Sequence, residues 1–355
     1  MTVSRFQGSK VLGVLASVSL AAMSLSAGAS QFDPAERGDV RGLVDEMAEQ
    51  GIPRGWLEDA LRDARYQQGV LDAMAGAAER RLRWDEYREI FLKPERIQRG
   101  VAFIEAHRGA FERAEAEYGV PPEMIAAIIG VETSYGRFMG SHRVLDSLAT
   151  LAFHHPSRGG FFRGELAAFL DITHEQGVDP GELMGSYAGA MGYPQFIPTS
   201  YRAYAVDFDD DGLRDLWTNP VDAIGSVANY FAEHGWRREQ PIYQEAEGPD
   251  SPPDGIEFNR AAKPPGVKMA ALASAGVTPD QDVSGDELVL PLALDVAGGD
   301  WRYRIGYHNF YVITRYNHSH LYGMAVTELA EAIADARKLD VHWLEAVSSD
   351  VEDGS

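Results

Sequence analysis

The chain has 355 residues, 45% of them hydrophobic and 24% charged, with a formal net charge of −22 and no cysteine. Length and balance fit a globular protein of two or three packed units, not a disordered or fibrous one. The charge argues against nucleic acid as a partner, and the missing cysteines remove thiol catalysis, disulfides and cysteine-ligated zinc.

At the start, Arg5 and Lys10 precede an apolar run from Val11 to Leu25, followed by Ala27-Gly28-Ala29. A basic start, a short apolar middle and a small-residue end predict a secretory signal peptide over 1–29. The run is short for a membrane anchor and is interrupted by serines. No other segment is apolar enough to span a bilayer, so a soluble mature chain is expected to start near Ser30. The signal holds two basic residues and no acid, so its loss takes the net charge from −22 to −24. Such a surface suits a salt-adapted protein, because salt screens self-repulsion and repulsion from an anionic substrate. Activity that fell steadily from low to high salt would contradict this.

From Pro34 to Tyr118, apolar residues such as Leu43, Met47, Leu57 and Leu61 recur at spacings of three or four. This predicts an N-terminal helical domain over 30–118, punctuated at Gly51-Ile52-Pro53 and Lys93-Pro94. The aromatic stretch from Trp84 to Leu92 could line a sugar cleft, but packing between helices is the favoured reading. A second helical block over 119–239 forms the expected core. It contains Gly- and Pro-rich loops at 156–160 and 185–198. Over 240–307 the composition shifts to Pro, Gly and Asp around two apolar runs, Glu287 to Leu294 and Trp301 to Tyr307, read as strands of a small antiparallel insertion. Residues 308–341 return to the core with an amphipathic helix, and an acidic, frayed tail is expected over 342–355.

Three segments carry chemistry. In Ala126 to Gly136, Pro121 and Pro122 open a nearly all-apolar helix that ends in Glu132. Burial and the negative end of the helix dipole both disfavour a charged carboxylate, which suits a general acid near neutral pH. A glutamate that merely caps the helix is the equal alternative on this segment alone. The second segment, Gly185 to Pro198, mixes small residues with Tyr187, Tyr193, Gln195 and Phe196. Such a loop lets backbone approach a ligand while rings and amides meet a sugar. The third, Asp207-Phe-Asp-Asp-Asp-Gly-Leu-Arg-Asp215, has the D-x-D-x-D-G spacing of an EF-hand loop. Asp207, Asp209, Asp211 and the Leu213 carbonyl are the candidate ligands. Thr218 holds the twelfth position, where a bidentate glutamate is usual, and Asp222 is the substitute. The pairs His154-His155 and His318/His320 lack a third ligand at motif spacing and are read as structural.

Together these blocks resemble the lytic murein transglycosylases of the B type, in their soluble form. The resemblance runs through Ile128-Ile-Gly-Val-Glu-Thr133, Val144-Leu-Asp-Ser-Leu-Ala-Thr-Leu151, Ala188-Gly-Ala-Met-Gly-Tyr193, Val221 to Tyr230 and Phe310 to His318. It implies a mainly α (α+β) fold with a lysozyme-like helical core and a periplasmic enzyme, a lytic exo- or endotransglycosylase. Its partners would be peptidoglycan glycan strands, with cell-wall synthetic enzymes as candidates and a monomer as the expected state. It implies Glu132 as the sole acid and base, with Ser186 beside it. Arg158, Phe161, Gln195, Phe196, Tyr230, Tyr316, Asn317 and Tyr322 would bind substrate. Phe161 stands where the family has a tyrosine, and the loop before Asp222 is one residue longer. A structural Ca²⁺, with Na⁺ as the alternative, would sit on Asp207, Asp209, Asp211, Leu213 and Asp222; no organic cofactor is implied. A lysozyme-type hydrolase, distinguished by reducing ends, and a non-catalytic wall-binding protein, insensitive to Glu132→Gln, are the competing readings.

Overall fold

The computed structural model describes residues 31–76 and 82–352. The expected signal peptide lies outside them. Among the described residues, no helix is long and apolar enough to cross a membrane.

The chain begins with helices α1 (Gly38–Glu49), α2 (Arg54–Asp63) and α3 (Gln68–Gly76). α1 buries Val40, Leu43, Val44 and Met47, one stripe at three- and four-residue spacing. Next come α4 (Trp84–Phe91), α5 (Pro94–Ala106) and α6 (Arg108–Tyr118). Pro94 starts α5, where its missing N–H costs nothing, and α6 stops at Gly119, which takes the left-handed conformation.

The central helix is α7 (Pro122–Thr133), in which nine of twelve residues are buried. It is followed by β1 (His142–Arg143), α8 (Val144–His154), α9 (Gly159–Gln176), β2 (Met184–Gly185), α10 (Pro198–Tyr204) and α11 (Pro220–Glu233). β1 and β2 pair antiparallel, His142 opposite Gly185. Asp146 on α8 is 3% exposed and accepts the Arg65 N–H at 2.9 Å while pairing with Arg143 at 3.0 Å. That contact joins the N-terminal helices to the core.

A small antiparallel sheet follows, built from β3 (Tyr243–Glu247), β4 (Val267–Lys268), β5 (Thr278–Pro279), β6 (Leu288–Asp295) and β7 (Trp301–Gly306) in the order β4-β6-β7-β3-β5. The helix α12 (Met269–Ser274) lies against it. The expected strands over 287–294 and 301–307 are β6, displaced by one residue, and β7, which ends one residue sooner. The run in β6 is continuously apolar because both faces are covered. Leu290, Leu292 and Leu294 meet Trp84, Phe310 and Met324 on one face. Val289 and Ala293 meet Met269, Leu272 and Ile305 on the other. Pro291 is tolerated because that stretch of β6 has a free edge. There Asn259 donates to the Pro291 and Ala293 carbonyls and accepts the Ala293 N–H.

The chain returns to the core as α13 (His308–Tyr316) and α14 (His320–Glu352). The tail expected from residue 342 instead continues α14 to Glu352. The last three residues lie outside the described ones.

Two hydrophobic clusters dominate. One joins α1–α3 to α8 and α9; the other surrounds α7 with α5, α6, α11, α13 and α14. Tyr193 and Tyr316 pack against both. The carboxylate at the end of α7 emerges at this seam.

Candidate active site

Glu132 is the penultimate residue of α7. Beyond it, Ser134, Tyr135 and Gly136 all have positive φ, at 51°, 62° and 80°. This left-handed run turns the chain sharply away and leaves Glu132 at the helix end. The Thr133 hydroxyl braces the turn: it accepts the Gly136 N–H at 3.0 Å and lies 3.0 Å from the Tyr193 carbonyl. A side chain at Gly140, where φ is 100°, would collide with the Gly185 carbonyl. The loop after Glu132 therefore lies directly on the loop that carries Ser186.

Burial pushes the Glu132 carboxyl up from 4.5 to about 7, against the opposing hydrogen bond from Tyr322. Tyr322 donates to Oε1 at 2.6 Å. Among the described residues no second carboxylate perturbs Glu132. The residue itself keeps partial exposure, as a group reached from a cleft must.

Ser186 is half-buried nearby and makes no bond to Glu132. Its Oγ accepts the N–H groups of Ala188 and Ala190 at 3.2 and 3.0 Å. With its lone pairs engaged, the hydroxyl can offer its proton to a ligand. Gln195, with φ 51°, turns its amide inward to the carbonyls of Met139 at 3.2 Å and Gly192 at 2.9 Å. Its oxygen stays available as an acceptor.

The aromatic residues divide into two groups. Tyr322 and Phe196 are 2% exposed and Tyr230 is 6% exposed. Their rings are too enclosed to offer a full face to a ligand. Tyr230 packs on Tyr316 at 4.7 Å between ring centroids, and Phe196 lies within 6 Å of both. The Tyr316 hydroxyl donates to the Pro194 carbonyl at 2.6 Å, and that of Tyr230 to the Arg315 carbonyl at 2.8 Å. Arg158, Phe161 and Asn317 are exposed. Arg158 lies over the rings of Phe161 and Phe162 at 4.8 and 4.9 Å.

Tyr87 on α4 was missed. Its hydroxyl titrates above the usual range through burial and the nearby charge of Glu132. Of the two readings of its stretch, packing fits Trp84, 1% exposed, while Tyr87 faces Glu132. Only the fold brings residue 87 to residue 132. Glu165 was also missed. It is 2% exposed and accepts from the Thr199 N–H at 3.0 Å and hydroxyl at 2.8 Å, which anchors the end of the Tyr193–Pro198 loop.

Asp207, Asp209 and Asp211 converge, with one oxygen of each within 4.8 Å of the others. Gly212, with φ 93°, makes the turn. Asp222 stands next to this group, and beside burial the charges of Asp209 and Asp207 act on it. It is fully buried, with Oδ1 accepting the Phe208 N–H at 2.7 Å and Oδ2 the Asp215 N–H at 2.8 Å. It braces the loop from beneath, and burial pushes its carboxyl up to about 6.

A family model described as a transglycosylase SLT domain matches residues 35–331. The chain is 43% identical over 317 residues to the membrane-bound lytic murein transglycosylase B of Escherichia coli strain K12, covering 86% of this chain and 85% of that one. It is similar to the E. coli lytic transglycosylase Slt35, whose structure was solved in complex with calcium. There the identity is 44% and the TM-score 0.77, over 86% of this chain and 95% of that one. It is also similar to SltB3 of Pseudomonas aeruginosa in complex with NAG-anhNAM-pentapeptide, at 31% identity and TM-score 0.70, over 83% and 78%.

Proposed function

The chain belongs to the transglycosylase SLT domain family, and we propose that Glu132 is the single acid and base with which it cuts peptidoglycan. The enzyme is a lytic murein transglycosylase that cleaves the β-1,4 bond between N-acetylmuramic acid and N-acetylglucosamine and leaves 1,6-anhydro ends. Protonated Glu132 gives its proton to the bridging oxygen as that bond breaks. The muramoyl N-acetyl oxygen attacks the anomeric carbon of its own sugar. The Glu132 carboxylate then takes the proton of the C6 hydroxyl, whose oxygen displaces the N-acetyl oxygen and closes the anhydro ring. Water is not consumed, and Glu132 ends protonated, as it began.

The observation that carries this reading is a half-buried carboxyl at a helix end, raised by desolvation to about 7, with no second carboxylate among the described residues acting on it. A two-carboxylate glycosidase would hold its acids close enough to perturb one another, as at about 5–5.5 Å in retaining enzymes. A residue that serves first as acid and then as base works best near its own pKa. Ser186, with its hydroxyl proton free, orients the N-acetyl carbonyl. Arg158, Phe161, Gln195, Tyr316 and Asn317 line the path of the sugars, with Phe196, Tyr230 and Tyr322 beneath them. Mass analysis of products from purified sacculi tests the reading. Anhydro ends are expected, whereas reducing ends would make the enzyme a hydrolase.

The loop at Asp207, Asp209 and Asp211 suits a hard cation such as Ca²⁺, since three carboxylates crowded together need a counter-charge. The ion would hold the loop and thereby the start of α11, which carries Tyr230, with the Leu213 carbonyl as a further ligand. It takes no part in bond cleavage. Work on peptidoglycan requires export, consistent with the signal expected over 1–29 and a periplasmic location.

A further inference from the structure

A cavity of about 590 Å³ lies where the sheet unit joins the core, lined by Pro264, Tyr307, His308 and the exposed Arg237, Asp282 and Glu287 among others. We infer that it binds an amino-acid end group carrying one ammonium and one carboxylate, of the kind displayed by the stem peptides of peptidoglycan. The inference rests on the substrate class given above.

The walls of the cavity are held rigidly. The buried Asn309 side chain clamps Arg237 by its main chain, accepting its N–H at 2.9 Å and donating to its carbonyl at 2.8 Å. Tyr307 is fixed by its N–H to the Ile242 carbonyl at 2.9 Å, and the His308 ring by a contact of 2.8 Å with the Gly235 carbonyl. The charged head groups are unmatched. Among the described residues Arg237 has no carboxylate partner and neither Asp282 nor Glu287 has a basic one. The next residue, Arg238, is by contrast bonded to the Glu115 and Ala116 carbonyls. In so acidic a chain an arginine left unpaired on a fixed backbone is set up to meet an anion.

The mixture of charges selects the ligand. A simple anion would be repelled by Asp282 and Glu287, and a simple cation by Arg237. A zwitterion matches both, with its carboxylate on Arg237 and its ammonium between the acids. The proline and tyrosine walls suit the alkyl chain between. The cavity is also within reach of the cleft. His308 and Tyr316 are the ends of α13, so they lie about 12 Å apart at 1.5 Å per residue. An extended peptide of three or four residues spans roughly 10–14 Å.

The test uses the mature chain and two sugar-free stem tripeptides. Both are N-acetylated and end in diaminopimelate with its α-carboxylate amidated; one keeps the side-chain carboxylate free, and the other has it amidated as well. Amide NMR should show saturable shifts at Arg237, Tyr307 and Glu287 for the first. Amidation or Arg237→Ala should weaken binding roughly tenfold or more, as for loss of one charge-assisted hydrogen bond, and Arg237→Lys should restore part of it. Shifts confined to residues around Glu132, or equal affinity of wild type and Arg237→Ala, would overturn the proposal. Arg237→Ala should still make anhydro products from peptide-free strands, so failure of this inference is distinguishable from failure of the catalytic reading.

Discussion

Tyr322 donates a 2.6 Å hydrogen bond to Glu132 across 190 residues of sequence. The bond joins the start of α14 to the end of α7 and stabilises the anionic carboxylate, while burial favours the neutral form. Glu132 is thus held between two opposing influences and titrates near neutrality.

Replacing Glu132 by Gln should abolish release of soluble muropeptides, a loss of at least about 10²–10⁴-fold. It should also stabilise the protein at high pH. The folded pKa, about 7, lies above the ordinary 4.5. The native state therefore binds the extra proton between these values, and stability falls as pH rises through that window. At pH 8 the variant should be more stable by about 1–3 kcal/mol, and at pH 4 the difference should vanish. Thermal melts at the two pH values measure it. Equal gains at both would show that Glu132 ionisation is not the cause.

Tyr322→Phe removes the bond that favours the anion. The Glu132 pKa should rise, so the alkaline limb of the pH–rate profile should move to higher pH. At neutral pH turnover should drop roughly tenfold, because the anion needed for the second step is less accessible. An unmoved limb would reduce Tyr322 to a packing residue.

Calcium should raise the melting temperature. At a hundredfold excess over its Kd the gain is about 2.7 kcal/mol. Asp209→Ala or Asp211→Ala should remove the calcium-dependent part of the gain. Turnover per folded molecule should hardly change, since the ion is remote from the chemistry. A large fall in kcat with an unaltered melting curve would contradict a structural role.

Gly140→Ala should be severely disruptive. The position combines φ of 100° with a collision against the Gly185 carbonyl. Left-handed strain alone costs about 1–3 kcal/mol, and backbone displacement would part Glu132 from the Ser186 loop. Both melting temperature and activity should fall. Gly51→Ala, at a similar φ but with open space around it, should lose stability alone.

Much was legible before folding. The stripe Val40, Leu43, Val44 and Met47 specified a helix through its period, and the apolar run around α7 announced burial because no polar face was left to meet water. Glu132 stood out as a charge in that run, and the D-x-D-x-D-G spacing identified a loop because its chemistry is local. Other relationships required distant segments to meet. Tyr87 comes close to Glu132 from a stretch whose pattern leaves packing and cleft-lining undecided, and Tyr322 becomes the hydrogen-bond donor of Glu132 although the two are 190 residues apart. Asp222 reads as a cation ligand from spacing alone, and the fold adds a second task, since its oxygens accept the N–H groups of Phe208 and Asp215. Sequence by itself determined which groups were available and which helix would bury one of them. The tertiary structure decided each group's protonation and role, because desolvation and hydrogen-bond geometry depend on neighbours that only packing supplies.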